Sequence, residues 1–301
     1  MFKNLMVYRL ASAWTVGVEQ LEAALEAARF EECGSLQDKS VGWIAPRGEE
    51  GGPLVEVVGG QWILRLMVET KAVPGSVVKR KVEQQIEHIE ATTGRKPGRK
   101  EIRDLKDDAR MALLPLAFSR QSAVSVWVDP KANLLMLDAG SQARADEVIT
   151  ALVKAVDSLA LQLVQTAMSP AAAMSLWLST GDAPVGFTVD QECELKAVDA
   201  SRAVVRYTRH PLDGEEIPRH IEVGKVPTRL ALSWAESVSF VLTDALQITK
   251  IAFLDGAVDD TTAKGDRADD RFDADVAIAT GELRKLLPAL LDALGGETPL
   301  V

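Results

Sequence analysis

The sequence predicts an α+β protein in which antiparallel sheets pack against helices and a helical hairpin projects as a lobe. Runs of alternating or wholly apolar residues, typical of strands, follow one another across short turns, most clearly between residues 228 and 254. Other segments repeat apolar residues every three or four positions, as helices do, most clearly between Pro74 and Leu116. At 301 residues, the chain is long enough for two or three such regions.

The first region, residues 1–73, is expected to be α+β. Apolar residues recur with the period of a helix from Val18 to Arg29. Gly59 and Gly60 separate two strand-like runs and are typical of a tight hairpin turn, because glycine adopts positive φ angles without strain. The predicted strands are residues 4–10, 41–44, 54–58 and 61–68.

Residues 74–120 are expected to form the projecting hairpin of two helices. Thr93, Gly94 and Pro97 interrupt the helical pattern between them. The second helix begins near Gly98 and is ended by Pro115. Two such helices bury their apolar stripes against each other with little help from the main core. The apolar face of the first helix consists of Val78, Val82, Ile86 and Ile89.

Residues 121–168 are expected to complete the first half, and residues 169–301 to form a second α+β half. Ser141 is a typical N-cap for the helix of the shorter region. That region is predicted to contain strands at 122–128 and 134–137, a turn at 129–133 and a helix at 141–156. The second half is predicted to contain helices at 171–178, 214–223 and 281–294, an acidic loop at 255–270, and strands at 192–197, 203–207, 228–234, 237–243, 248–254 and 273–279.

The composition indicates a folded protein of the cytoplasm. Apolar residues make up 47% and charged residues 26% of the chain, and no apolar run suits a signal peptide or a membrane span. The two cysteines, Cys33 and Cys193, lie far apart and are expected to be buried reduced thiols. There is no Walker, HExxH or GxSxG motif, so the sequence predicts no metal, no cofactor and no catalytic constellation.

A basic stripe on the second hairpin helix is the most informative feature of the sequence. Arg99, Arg103, Lys106 and Arg110 are spaced by four, three and four positions, which places them within about 60° of one another on a helix. The acidic residues of this helix lie on another arc. The chain has a net charge of −10, yet residues 71–110 hold eleven cations and seven anions, so the other 261 residues carry −14. The stripe is therefore a local array of cations in an acidic protein.

This stripe has two interpretations. It could be an ordinary solvated helix face, as most charge runs are. The segregation of the two signs favours a surface that contacts a polyanion, and phosphate contacts of this kind depend on salt and not on sequence. Arg95 and Lys96, in the loop between the helices, add two cations at the tip of the hairpin.

Three weaker features each have a structural and a functional interpretation. A second basic cluster, from Arg202 to Arg229, is either a ligand surface or a charged face, because acidic residues dilute it. The aspartates from Asp255 to Asp275 form either a mobile acidic loop or the Mg²⁺ site of a nuclease. Phe118 is either a core residue or, if it is exposed, an association patch.

Four segments resemble the family of the bacterial recombination-associated protein RdgC. They are FKNLMVYRL at the N-terminus, LLPLAFSR after the hairpin, EEIPRHIEVGKVPTRLALSW in the second half, and RFDADVAIATGEL near the end. The resemblance implies horseshoe-shaped subunits that form a ring-shaped homodimer around a central hole. It also implies DNA binding without sequence preference, with duplex favoured over single strands, and restraint of the RecA recombinase by occupation of its DNA in the nucleoid.

The resemblance also implies roles for particular residues. Arg95, Arg209 and Lys225 are similar to basic residues on the DNA path, and Phe118 is similar to an apolar residue of a dimer interface. The expected function is that of a non-enzymatic DNA clamp, with phosphate contacts from the basic stripe. Two alternatives stay open: a Mg²⁺-dependent nuclease that uses the late aspartates, and an inhibitor that contacts the recombinase directly through the hairpin.

Overall fold

The computed structural model describes residues 2–10, 16–157, 159–254 and 268–298. Within these ranges the chain forms twelve strands and seven helices, and the strands pair in antiparallel ladders to make two sheets. The predicted α+β class with antiparallel sheets is confirmed. No helix in the described ranges is long and apolar enough to cross a bilayer. The helices are α1 (Val18–Glu26), α2 (Gly75–Thr93), α3 (Arg99–Leu113), α4 (Gln142–Ala155), α5 (Pro170–Thr180), α6 (Glu216–Glu222) and α7 (Ala268–Ala293).

The first sheet is built from the N-terminal half of the chain. Its strands are β1 (Met6–Leu10), β2 (Lys39–Ile44), β3 (Glu56–Val58), β4 (Gln61–Lys71), β5 (Ser119–Asp129), β6 (Leu134–Leu137) and β7 (Leu161–Leu163). They follow the order β2-β4-β5-β6-β1-β7, and β3 also pairs with β4. Gly59 and Gly60 make the predicted turn between β3 and β4, with φ angles of 59° and 80°. The sequence did not predict β7, which is too short to show a periodicity.

Helices α1 and α4 cover one face of the first sheet. Leu21 and Leu25 of α1 and Val148 of α4 are fully buried in the same cluster as Leu64 of β4 and Val126 of β5. Side chains alternate between the two faces of a strand, so every second residue of β4 and β5 points into this cluster. The apolar face of α1 and the apolar residues of these strands thus pack in the same buried layer.

The second sheet contributes to the main core together with the other face of the first sheet, α5 and α7. Trp127 of the first sheet, Leu230 of the second and Leu286 of α7 are all buried in this core. The backbone N–H of Leu5 donates to the carbonyl of Ile248 at 2.7 Å, which joins the start of the chain to the second sheet. The strands are β8 (Phe187–Ala197), β9 (Val204–Thr208), β10 (Lys225–Trp234), β11 (Val238–Thr243) and β12 (Ile248–Phe253), in the order β12-β11-β10-β8-β9.

One predicted element is wrong: residues 273–279 do not form a strand but belong to α7. Val276, Ala279 and Leu283 are buried in the main core, and their spacing of three and four positions is that of a helix. Small alanines between the aspartates of this segment imitate the alternation of a strand. The acidic loop predicted at 255–270 lies outside the described residues up to position 267, and its last residues begin α7.

Candidate nucleic-acid interface

Helices α2 and α3 form a consecutive pair that positions the basic stripe. They contact each other, and Val82 of α2 and Ala109 of α3 are the buried residues of the two helices. Gly94 ends α2 in the left-handed conformation with a φ of 70°, a conformation that favours glycine. Pro97 of the connecting loop is buried, and α3 begins directly after Gly98, as predicted. With the apolar stripe of α3 used for packing, the adjacent basic arc is left to the solvent.

All the cations of the predicted stripe are exposed. Within the part of the chain that the structure describes, the side chains of Arg99, Arg103 and Lys106 form no ion pair, and neither does that of Lys96 in the loop. Lys100 is a further exposed cation of α3 that the sequence reasoning did not single out. These side chains therefore present charges that are not compensated within the described chain.

Arg110, the last cation of the stripe, differs from the others. Its Nη2 lies 3.0 Å from Oδ2 of Asp38, which immediately precedes β2. Both side chains are more than half exposed, at 60% and 56%, so the pair is an ordinary surface ion pair of small energy. It links α3 to the first sheet and compensates one charge of the stripe.

Arg95 is also paired, and its partner is Glu101 in the first turn of α3. Arg95 Nη1 lies 2.8 Å from Glu101 Oε2, and Nη2 donates to Oε1 at 3.1 Å. This hydrogen-bonded contact lowers the pKa of Glu101 from its ordinary value, and the nearby backbone N–H of Gly98 acts in the same direction. The carboxylate is therefore ionised at neutral pH and cancels the charge of Arg95.

Arg209 and Lys225, the cations that the resemblance indicated in the second half, lie at different ends of β8. Arg209 is exposed and follows β9 at a φ of 53°, and the next residue along the chain donates its N–H to the carbonyl of Gln191. Lys225 begins β10 opposite Ala197, and its Nζ lies 3.0 Å from Nδ1 of His220. The stretch of β8 between these two registers is about 20 Å long. Within the described residues, no hydrogen bond joins either cation to the α2–α3 pair.

Other cations of the second basic cluster are compensated by neighbouring acids. Arg206 forms an ion pair with Glu194 of β8, and Arg219 Nη2 lies 2.7 Å from Oε2 of Glu215 one turn away. The pKa of Glu194 is lowered, first by the hydrogen bond from Arg206 and further by one from Thr228. The acidic residues that the sequence places among these cations thus form ion pairs with two of them.

Phe118, the predicted interface residue, is exposed. Its relative exposure is 94%, and Leu116 and Met111 nearby in the chain are exposed at 79% and 58%. The interpretation of Phe118 as a core residue is therefore wrong for the single chain. Three large apolar side chains within eight positions of α3 and the segment after it therefore leave apolar area in water in the single chain.

The late aspartates do not form a metal site within the described residues. Four of the eight aspartates from Asp255 to Asp275 lie outside them, and Asp273 forms an ion pair with Arg47 at 2.6 Å. Within the described ranges no three His, Cys, Asp or Glu side chains converge as metal ligands. Both cysteines are free thiols, and Cys193 is buried as expected, whereas Cys33 is only half-buried.

Comparison with known proteins identifies the family. The family model described as "Putative exonuclease, RdgC" matches residues 1–297. The chain belongs to the RdgC family. Relatives named "Recombination-associated protein RdgC" are 46% identical over 296 residues in Herminiimonas arsenicoxydans, 44% over 299 residues in Dechloromonas aromatica and 42% over 296 residues in Bordetella pertussis, each match covering 98% of both chains. The family resemblance seen in the sequence is thereby confirmed.

Two acidic residues of this RdgC-family chain were missed by the sequence reasoning. Glu101 follows Gly98 by three positions, a spacing typical of a helix start, and this signal could have suggested that its carboxylate turns back toward the loop. Asp38 is 72 positions from Arg110, and nothing in the local sequence indicates the contact.

Proposed function

We propose that this chain is a sequence-independent DNA-binding protein that encircles duplex DNA as a ring-shaped dimer and limits the access of the RecA recombinase to DNA. Its relatives are named recombination-associated proteins. The observation that carries the proposal is the row of exposed cations on α3, uncompensated within the described residues, in a chain of net charge −10. A protein with this distribution attracts a polyanion to one surface and repels it elsewhere.

In this proposal the α2–α3 pair projects as a lobe from a horseshoe-shaped subunit, and its basic arc faces the DNA. Arg99, Arg103 and Lys106 contact phosphates, which fixes no sequence because phosphates are the same at every base pair. Arg209 and Lys225 contact the same duplex elsewhere along its length. Their separation along β8 suits an extended polyanion better than a small anion.

The test of DNA binding is a charge reversal on α3. The triple variant R99E/R103E/K106E is expected to lose measurable binding to duplex at moderate salt, with the fold retained by circular dichroism. The matched control is K131E/K154E/K285E, which makes the same change of charge at exposed lysines on other elements. For the wild type, the logarithm of affinity is expected to fall with the logarithm of salt with a slope of about 0.9 per neutralised phosphate. Equal binding by the two triple variants would contradict the proposal.

The exposed apolar surface around Phe118 supports the dimer. A closed two-fold ring requires interfaces that are complementary to themselves, and an exposed phenylalanine offers apolar area for one of them. The wild type is expected to sediment as a dimer and to remain on closed-circular DNA at a salt concentration at which it slides from linear DNA. The variant F118S is expected to shift toward the monomer and to lose this difference. A wild-type monomer would exclude the ring.

A nuclease is the second candidate, because the description of the family model contains the words "Putative exonuclease". Incubation with Mg²⁺ and duplex DNA separates the two functions, since a nuclease shortens linear DNA and a clamp only retards it. Direct contact with the recombinase is tested in the same preparation. Inhibition of strand exchange that persists when DNA is in large excess would favour direct contact over occupation of DNA.

A further inference from the structure

The loop between α2 and α3 contains an arginine whose two terminal nitrogens are already occupied. Arg95 donates from Nη1 and from Nη2 to the two carboxylate oxygens of Glu101, at 2.8 and 3.1 Å. A guanidinium group binds a carboxylate and a phosphate with the same pair of parallel N–H···O bonds. The carboxylate of Glu101 therefore stands where a phosphate group would bind Arg95.

Glu101 is held in this position by the start of α3 as well as by Arg95. It is the third residue after the N-cap Gly98, whose nearby backbone N–H favours its charged form, and a negative charge is favoured in the first turn of a helix. The side chain of Arg95 is 60% exposed and that of Glu101 is 35% exposed. The pair lies in water, where such contacts are weak and exchange readily.

We propose that Glu101 is a built-in competitor for phosphate: it pairs with Arg95 in the free protein and is displaced from it when DNA binds. This inference rests on the proposed DNA-binding function. This exchange of Glu101 for a phosphate lowers the affinity for DNA, because binding must first break the ion pair between Arg95 and Glu101. Lys96 in the loop and Arg99 at the start of α3 form no ion pair within the described chain, so they attract DNA without this cost.

The test compares two removals of one negative charge from α3. The variant E101Q keeps the size of the side chain and a polar amide oxygen near the N-terminus of α3, but it removes the negative charge that holds Arg95. The control D107N removes an equal charge from an exposed aspartate of α3 that forms no ion pair in the described chain. We expect E101Q to bind duplex DNA about two- to fourfold more tightly than D107N does, a factor that lies within the range for release of an exposed ion pair.

The dependence on Arg95 is tested by the same substitutions in an R95Q background. There, E101Q and D107N are expected to have equal effects, because the partner of Glu101 is absent. The salt dependence of E101Q is expected to match that of the wild type, since the number of phosphates contacted at the end of the exchange is unchanged. Circular dichroism of each variant checks that α3 is retained.

Three results would overturn the inference. E101Q and D107N could bind equally, E101Q could exceed D107N by the same factor without Arg95, or E101Q could bind more weakly than the wild type, which would make Glu101 a residue that positions Arg95 for DNA. Failure of the proposed function is distinguishable from all three. In that case the wild type itself would show no salt-dependent retention of duplex DNA.

Discussion

Asp129 at the end of β5 provides a stability prediction that can be worked from the structure. Its carboxylate is buried, with 2% of the side chain exposed, and it has two hydrogen-bond donors and one ion-pair partner. Oδ1 accepts the backbone N–H groups of Lys131 and Ala132 at 3.0 and 3.1 Å, and Oδ2 lies 2.8 Å from Nε of Arg284 in an ion pair. This side chain therefore shapes the turn between β5 and β6 and attaches it to α7.

The variant D129A removes both hydrogen bonds and the ion pair. Loss of the two hydrogen bonds from the turn costs about 1 kcal/mol each, a typical net value for a hydrogen bond in a folded protein. Loss of the ion pair with Arg284 adds about 1 kcal/mol, the upper part of the range for an exposed pair, because the arginine side chain is 45% exposed and screened by water. The free energy of unfolding is expected to fall by about 3 kcal/mol in total. D129N, whose amide oxygen still accepts from the turn, is expected to lose about 1 kcal/mol.

Urea denaturation followed by tryptophan fluorescence measures both variants against the wild type. The midpoint is expected to decrease in the order wild type, D129N, D129A, while the dependence of the free energy on urea stays the same. Equal loss in D129N and D129A would refute the reasoning, because it would mean that the two N–H groups of the turn contribute nothing. A loss below about 1 kcal/mol in D129A would refute it as well.

Three further predictions concern a buried thiol, a buried hydrogen bond and an ion pair of the second sheet. Burial raises the pKa of Cys193 to about 12, so its thiol is expected to resist alkylation at mildly alkaline pH and to react only when urea unfolds the chain, as labelling and mass spectrometry would show. Gln61 Oε1 accepts the buried indole N–H of Trp127 at 2.7 Å, and Q61L is expected to cost about 1–3 kcal/mol in urea denaturation because that N–H loses its partner. The ion pair with Arg206 holds the pKa of Glu194 below its ordinary value, so its stabilisation is complete above that value and is lost as the pH falls through the lowered one. E194Q should therefore flatten the decline of the urea midpoint in acid, and an unchanged decline would contradict the pairing.

Much of the fold is predictable from the sequence where one periodicity dominates. The meander β10–β12 was predicted at 228–254, because each strand is apolar and each turn is short and polar. The strand predicted at 273–279 is wrong, because the helical spacing of the buried residues in this segment is visible only when the leucines beyond it, such as Leu283 and Leu286, are included. A helix with small alanines near its start gives no clear apolar stripe there, and packing against the main core decides its structure.

The sequence predicts which cations of the candidate site are exposed, but it does not predict which of them form ion pairs. The segregation of signs on α3 follows from residue spacing alone, and the exposure of Arg99, Arg103 and Lys106 agrees with it. The pair of Arg110 with Asp38 depends on how α3 stands beside the first sheet, which no local pattern encodes. Net charge counted from a sequence therefore overstates the number of cations that are available to a ligand.

The basic stripe on α3 and the second basic cluster differ in how many of their cations lack an acidic partner. The second cluster has many basic residues, yet its arginines at positions 206 and 219 are paired with glutamates, and Lys225 shares a hydrogen bond with His220. On α3, by contrast, three consecutive members of the stripe have no acidic partner in the described chain. An uncompensated charge attracts a polyanion over about one Debye length, whereas a paired one acts only after its partner is displaced. Under the proposed DNA-binding function, the first encounter should therefore occur at α3, and variants of the paired Arg206 or Arg219 should affect the dissociation rate more than the association rate.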